Sequence, residues 1–146
     1  MFTCYLFQQF AESARYTDMY AKTTENICVQ VQPWYRPELS ERKQRKYYFS
    51  YQIHITNESE FDIKLLSRHW IIFDSAGVKR KVDGKGVIGE QPIILQGDRY
   101  SYESWCPLLS EVGYMAGYYI VERLLDESRH QIIIPRFHLI TPEMKN

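Results

Sequence analysis

Along most of this chain hydrophobic and polar residues alternate with a period of two, which is the pattern of half-buried strands. Ile27, Val29 and Val31 alternate with Cys28, Gln30 and Gln32, and Pro33 ends the run. A polar hinge follows over residues 36–46. Tyr47, Phe49, Tyr51, Ile53 and Ile55 then alternate with Tyr48, Ser50, Gln52, His54 and Thr56, the cleanest strand pattern in the chain. Residues 57–60 read as a turn, and residues 65–74 as a third strand with Ser75-Ala76-Gly77 leading out of it. Residues 79–82 are short and basic, 83–89 glycine-rich, and 92–95 apolar. Gln96-Gly97-Asp98 is another turn. Residues 100–105 alternate again. Residues 113–125 form a long strand pattern interrupted by Gly117. Residues 131–140 form the last, and Pro135 inside it predicts an edge or a bulge. About seven or eight strands separated by turn signals predict an all-β fold, an antiparallel sandwich.

Residues 1–23 depart from this rhythm. Phe2, Leu6 and Phe10 recur every four residues, as on one face of a helix. The chain therefore divides into an N-terminal extension, helical or disordered, at 1–23 and a sandwich domain at 24–146. No second domain, long linker or internal repeat is visible.

Composition narrows the function classes. Lys+Arg and Asp+Glu both total 18 of 146 residues, so the formal charge is zero. A general nucleic-acid binder usually carries a basic excess, so there is no strong nucleic-acid signal. Aromatics reach 15%, with 12 Tyr, an enrichment that favours strands. Cys4, Cys28 and Cys106 are widely spaced and form no CxxC pair, which suggests no disulfide framework and fits a cytoplasmic setting. The N-terminus lacks a basic n-region followed by a long apolar stretch, so no signal peptide is expected. Nor is membrane insertion, because no apolar run approaches the roughly 18 residues a span needs.

Candidate chemistry is sparse. Gly84, Gly86 and Gly89 form a GxGxxG pattern with Lys85 inside it. A dinucleotide fold needs that pattern between a strand and a helix, and here Pro92 and Ile93-Ile94 follow instead. What survives is a phosphate loop in which backbone N–H groups and Lys85 hold an anion. The alternative is a glycine-shaped connection between strands, with Asp83 and Glu90 opposing any anion. In Arg68-His69-Trp70, His69 faces opposite to its neighbours. One of its ring nitrogens suits a general base, but no nucleophile motif accompanies it, and Trp70 reads as core. His54, His69, His130 and His138 lack the spacing of metal ligands. Tyr100, Tyr102, Tyr118 and Tyr119 suit core packing better than base stacking, and residues 42–46 read as a solvated basic loop. No catalytic residue, metal site or cofactor is expected.

The stretches LLSRHWIIFDSAG, VDGKGVIGEQPIIL, YSYES, VGYMAGYYIV and IIIPRFHL, in this order, closely resemble the ApaG (DUF525) domain from about Ile27 to Pro142. The resemblance implies an immunoglobulin- or fibronectin-III-like sandwich of two antiparallel sheets. It links bacterial members to cobalt and magnesium tolerance and places the domain in animal F-box and polymerase-delta-interacting proteins, which implies protein binding. It also offers Gly84, Gly86 and Gly89 as a pyrophosphate site. Gln96-Gly97-Asp98, Trp105 and Ser128-Arg129-His130 depart from the family pattern. The resulting expectation is a non-catalytic module for an unidentified protein partner, with a homodimer among the arrangements left open. The alternative is a binder or hydrolase of a phosphorylated small molecule at the glycine loop.

Overall fold

The computed structural model describes residues 18–145. The helical reading of Phe2, Leu6 and Phe10 lies outside the described residues.

Among the described residues, nine strands form two antiparallel sheets. The first sheet holds β1 (Tyr20–Thr24), β2 (Ile27–Tyr35), β3 (Tyr47–Asn57) and β7 (Arg99–Leu108), in that spatial order. The second has the order β5 (Val78–Lys85), β4 (Ile63–Asp74), β8 (Val112–Arg123), β9 (Arg129–Ile140), and β6 (Ile93–Ile94) pairs with the start of β4. The sheets pack face to face as a sandwich, as the alternation predicts. β1 reaches into the segment read from sequence as an extension, pairing Tyr20 with Val31 and Thr24 with Ile27. β2 continues through Pro33 to Tyr35 rather than stopping there. β1 pairs no further than Val31, so Pro33 removes no ladder bond on that side.

Inward residues of both sheets make one core, and Val29, Ile53, Leu65, Tyr119, Ile132, Phe137 and Leu139 are inaccessible to solvent. Phe137 meets Trp70 edge-on at 5.9 Å and Tyr51 at 5.4 Å. Trp70 is buried, as its strand position predicts.

Two bulges correct the alternation. In β4 the register shifts between Leu65 and Ser67. Leu65 faces the core before the shift, and Trp70 and Ile72 face it afterwards. Between β8 and β9 the register shifts at Met115/Gly117, opposite Pro135. Pro135 thus sits both on an edge strand and in a bulge, the two places open to it.

Buried polar side chains fasten the turns. Asp74 accepts hydrogen bonds from the backbone N–H groups of Ala76 and Leu109 and from the Ser110 hydroxyl, tying the β4–β5 turn to the β7–β8 turn. Asn57 donates to the carbonyls of Phe61 and Ile94, at 2.7 and 3.0 Å, which anchors β6.

Candidate functional site

The sandwich has one margin where edge strands β5 and β7 face each other across the gap between sheets. Two hydrogen bonds join β7 to β5 and to the turn that follows it. Arg80 donates to the Pro107 carbonyl at 2.8 Å, and the Tyr100 hydroxyl donates to Glu90 at 3.3 Å. A pocket of about 230 Å³ lies on this margin, lined by Tyr51, Arg68, Trp70, Ile88, Tyr102 and the β7 run from Glu103 to Trp105.

Arg68 is its distinctive member. After the bulge in β4, Arg68 shares the inward face with Trp70. Its partner in register is Gly84 of β5. A Cβ at Gly84 would stand 2.7 Å from the Arg68 guanidinium, so glycine here makes room for that group. The guanidinium donates to the Lys85 and Gly86 carbonyls at 3.2 and 2.8 Å. Arg has five N–H donors in a planar fork, so two carbonyl bonds leave capacity for a ligand. Arg68 also acts electrostatically on Tyr51, Tyr102 and Tyr119, favouring their ionised forms, but burial outweighs it and raises all three phenols above their ordinary value near 10. The hydroxyl of Tyr102, a lining residue, bonds to that of the buried Tyr119 across the two sheets.

The glycine loop divides into different parts. Gly84 is a strand residue that makes space. Gly86 has φ +59, and a Cβ there would meet the Glu90 carbonyl oxygen at 1.9 Å. Ile88 (φ 47) and Gly89 (φ 73) are the central pair of a two-residue turn, closed by Val87 N–H to Glu90 O and Glu90 N–H to Val87 O at 2.8 and 2.9 Å. The Gly86 N–H donates to the Leu66 carbonyl at 2.8 Å. With the Gly86, Val87 and Glu90 N–H groups engaged, the loop keeps fewer donors for an anion than its glycine spacing suggests. Lys85 pairs with Ser67 and shares its outward face, away from Arg68. The structure therefore brings Gly84 and Gly86 together with Arg68, and sets Lys85 apart.

Beside the pocket, sharing Glu103, Ser104 and Trp105, runs a larger groove of about 510 Å³. Its other wall comes from residues 36–50, including Leu39, Lys46 and Tyr48. Trp105 is 62% exposed and its ring lies 5.8 Å from that of Tyr48. Cys106, behind it, is buried, and burial pushes its thiol up to about 11, which makes it a poor nucleophile. The two edges differ chemically. β5 carries Lys79, Arg80, Lys81, Asp83 and Lys85, the charges that deter edge pairing. β7 presents Ser101, Glu103 and the exposed Trp105. Sequence reasoning put Arg68 on the face of Trp70 but did not single it out, because its match to Gly84 is made by strand pairing and carries no local signal. Among the described residues, no three His, Cys, Asp or Glu side chains converge to hold a metal. No helix of the described residues is long and apolar enough to cross a membrane.

These features define a small antiparallel β-sandwich of the immunoglobulin/fibronectin-III kind with an arginine-lined opening between its sheets. The family model for the ApaG domain (DUF525) matches residues 37–123, and the chain belongs to that family. It is similar to Protein ApaG of Rhodopseudomonas palustris strain TIE-1, 43% identical over 127 residues that cover 87% of this chain and 97% of the relative. It is likewise 43% identical to Protein ApaG of Mesorhizobium japonicum over 124 residues, 85% of this chain and 95% of that one. Among solved structures, the putative ApaA protein of Bordetella pertussis superposes with a TM-score of 0.75 at 34% identity, covering 86% of this chain and 95% of its own. A structural-genomics X-ray structure gives a TM-score of 0.76 at 36% identity, with 84% and 92% covered.

Proposed function

We propose that the chain is a protein-interaction module whose β5–β7 seam takes an extended partner segment bearing a carboxylate. The observation that carries this reading is Arg68, a cation turned inward at the mouth of an aromatic pocket, with carbonyls as its bonded partners. A carboxylate matches its planar fork bidentately. About 230 Å³ suits one side chain or chain terminus. Trp105 supplies the large, amphipathic contact surface that dominates protein interfaces. The β7 edge is less guarded by charge than β5 and offers backbone groups to an added strand. The cobalt and magnesium tolerance implied by the resemblance would then act through the bound partner.

Selection from a displayed peptide library tests this. Peptides enriched on the chain should share an Asp, a Glu or a free C-terminus beside an apolar residue. Their affinity, measured by calorimetry, should fall at least about tenfold in both Arg68→Gln and Trp105→Ala, the size of a lost hot-spot contact. Equal affinity for the parent and both variants would remove the seam from consideration. The alternative, a phosphorylated small molecule, is favoured by the same guanidinium. It would be supported if pyrophosphate raised the melting temperature saturably while no peptide was selected.

A further inference from the structure

On the outer face of the second sheet, opposite the seam, three side chains unused by the binding reading are hydrogen-bonded in series. Ser67 Oγ lies 2.9 Å from Nε2 of His69. His69 Nδ1 lies 2.7 Å from an Asp83 carboxylate oxygen. The imidazole stacks on Tyr118, with centroids 4.7 Å apart and planes 19° apart, which fixes the ring's orientation.

Strand register builds this arrangement. Ser67 and His69 are two residues apart on β4 and so share a face. Asp83 is the partner of His69 on β5, and Tyr118 is its partner on β8. Lys81 and Lys85 flank Asp83 on the same face. Lys85 pairs with Ser67 from β5, and Ile120 pairs with it from β8. The bulge at Leu66 sets the parity of the strand, turning Ser67 and His69 outward as it turns Arg68 inward.

With Asp83 ionised and the imidazole neutral, one proton arrangement satisfies the series. Nδ1 donates its proton to Asp83, and Nε2 accepts from the Ser67 hydroxyl. This is the tautomer that activates a serine, with the carboxylate holding the ring in place. We infer that Ser67, His69 and Asp83 form a hydrolytic site for small, reactive acyl esters. Ser67 Oγ forms a bond to the acyl carbon while its proton passes to His69 Nε2. The carbon–oxygen bond to the leaving alcohol breaks, and that alcohol takes the proton from Nε2. Water then attacks the acyl-serine, giving one proton to Nε2. Cleavage of the ester to Ser67 returns that proton to Oγ and releases a carboxylic acid. Lys85, across from Ser67, supplies positive charge on the face where the acyl oxygen becomes negative. Asp83 is 67% exposed, so the site is open to water. Electrostatic stabilisation is weaker there than in an enclosed site, which restricts the substrate to esters with good leaving groups, such as aryl esters. Ile120 offers the acyl chain an apolar surface.

The test uses the full chain with an alkyl fluorophosphonate and with p-nitrophenyl butyrate. Mass spectrometry of the unmutated chain should place the phosphonyl group on Ser67, with fluoride displaced. Ester turnover should fall to the buffer rate in Ser67→Ala. Asp83→Asn should slow labelling by about 100-fold or more, through the wrong tautomer. An adduct elsewhere, no adduct, or turnover that survives Ser67→Ala would overturn the inference. Mapping the label needs no variant, so a substitution that fails to fold does not blunt the result. Arg68 points to the opposite face, so this result and the peptide result can fail separately.

Discussion

The two long margins of the sandwich are closed by different means. At one, β1 lies across β2 and packs against β9. Tyr20 sits 6.3 Å from Phe137, the Ile133 N–H donates to Thr24 Oγ1 at 3.2 Å, and His130 meets Glu25 at 3.1 Å. At the other, Arg80 ties β5 to β7 and Tyr100 ties β7 to Glu90 in the turn after β5, with a pocket between. Aromatic area fills the first margin down to an inaccessible Phe137. The second has an arginine in the corresponding layer, because Gly84 vacates space and the Leu66 bulge turns Arg68 inward. A margin closed by apolar packing serves stability. A margin closed by a few polar bridges keeps a charged group reachable, and that is where a ligand can be read.

The first way to break this contrast is to empty each side. Phe137→Ala should cost about 3–5 kcal/mol, the scale for deleting a buried aromatic, measured by urea denaturation. Trp105→Ala should stay within about 0.5 kcal/mol, as for an exposed site. Comparable losses would mean that Trp105 packs as core and that the seam is closed in solution.

Next in size is a comparison between neighbouring glycines. Gly86→Ala combines φ +59 with a Cβ 1.9 Å from a backbone oxygen, and should cost about 3 kcal/mol, the upper range for local backbone strain. Gly84→Ala meets the far end of a flexible side chain. It should cost about 1 kcal/mol or less yet displace Arg68 and abolish carboxylate binding. Equal stability losses would show that Arg68 cannot move, and that the pocket is a structural fixture.

Much of this fold was legible in the sequence, and its limits are physical. Alternation over residues 47–56 announced β3, which runs one residue further to Asn57, and Pro135 announced an edge or a bulge. Alternation cannot say which parity faces inward when an extra residue intervenes. The alternation set Arg68 on the face of the core residue Trp70 and His69 opposite, but Leu66 carries no bulge signature, so the change of parity after Leu65 could not be read. Asp83 meets His69 only through strand pairing, which is non-local. The glycine pattern was visible but not its parts, because Gly84 acts through the space it leaves for a residue on another strand.

The tyrosine pair behind the seam gives the third prediction. Tyr119 is inaccessible and bonded to Tyr102, so Tyr102→Phe should cost about 1–3 kcal/mol by leaving a buried hydroxyl without its partner. The double change to Phe should cost less than the two single changes together. Tyr51, Tyr102 and Tyr119 are all raised, chiefly by burial. Above pH 10 the unfolded chain therefore loses these protons first, and the native state binds more of them. Their stability contribution is constant below the unfolded pKa near 10 and declines as pH rises beyond it toward the folded values. Melting temperature followed from pH 8 to 11 should show this alkaline loss, reduced in the double Phe variant; an equal loss in both would assign it to other groups.

The smallest expected effect separates stability from binding at the rim. Ile88 is β-branched, 58% exposed, and held at φ 47. A β-branched residue is disfavoured in that region, whereas Asn tolerates it. Exposure means that little core packing is lost on substitution. Ile88→Asn should therefore raise stability by about 1 kcal/mol, within the range stored by such strain, read from the midpoint of denaturant unfolding at unchanged slope. Ile88 also lines the pocket around Arg68, so the same variant should bind carboxylate peptides more weakly. A gain in stability with a loss of affinity would show that a strained apolar residue is kept on the rim for its contact with a ligand. A loss of stability would show instead that Ile88 packs favourably across the seam, moving this margin closer in kind to the one that β1 covers.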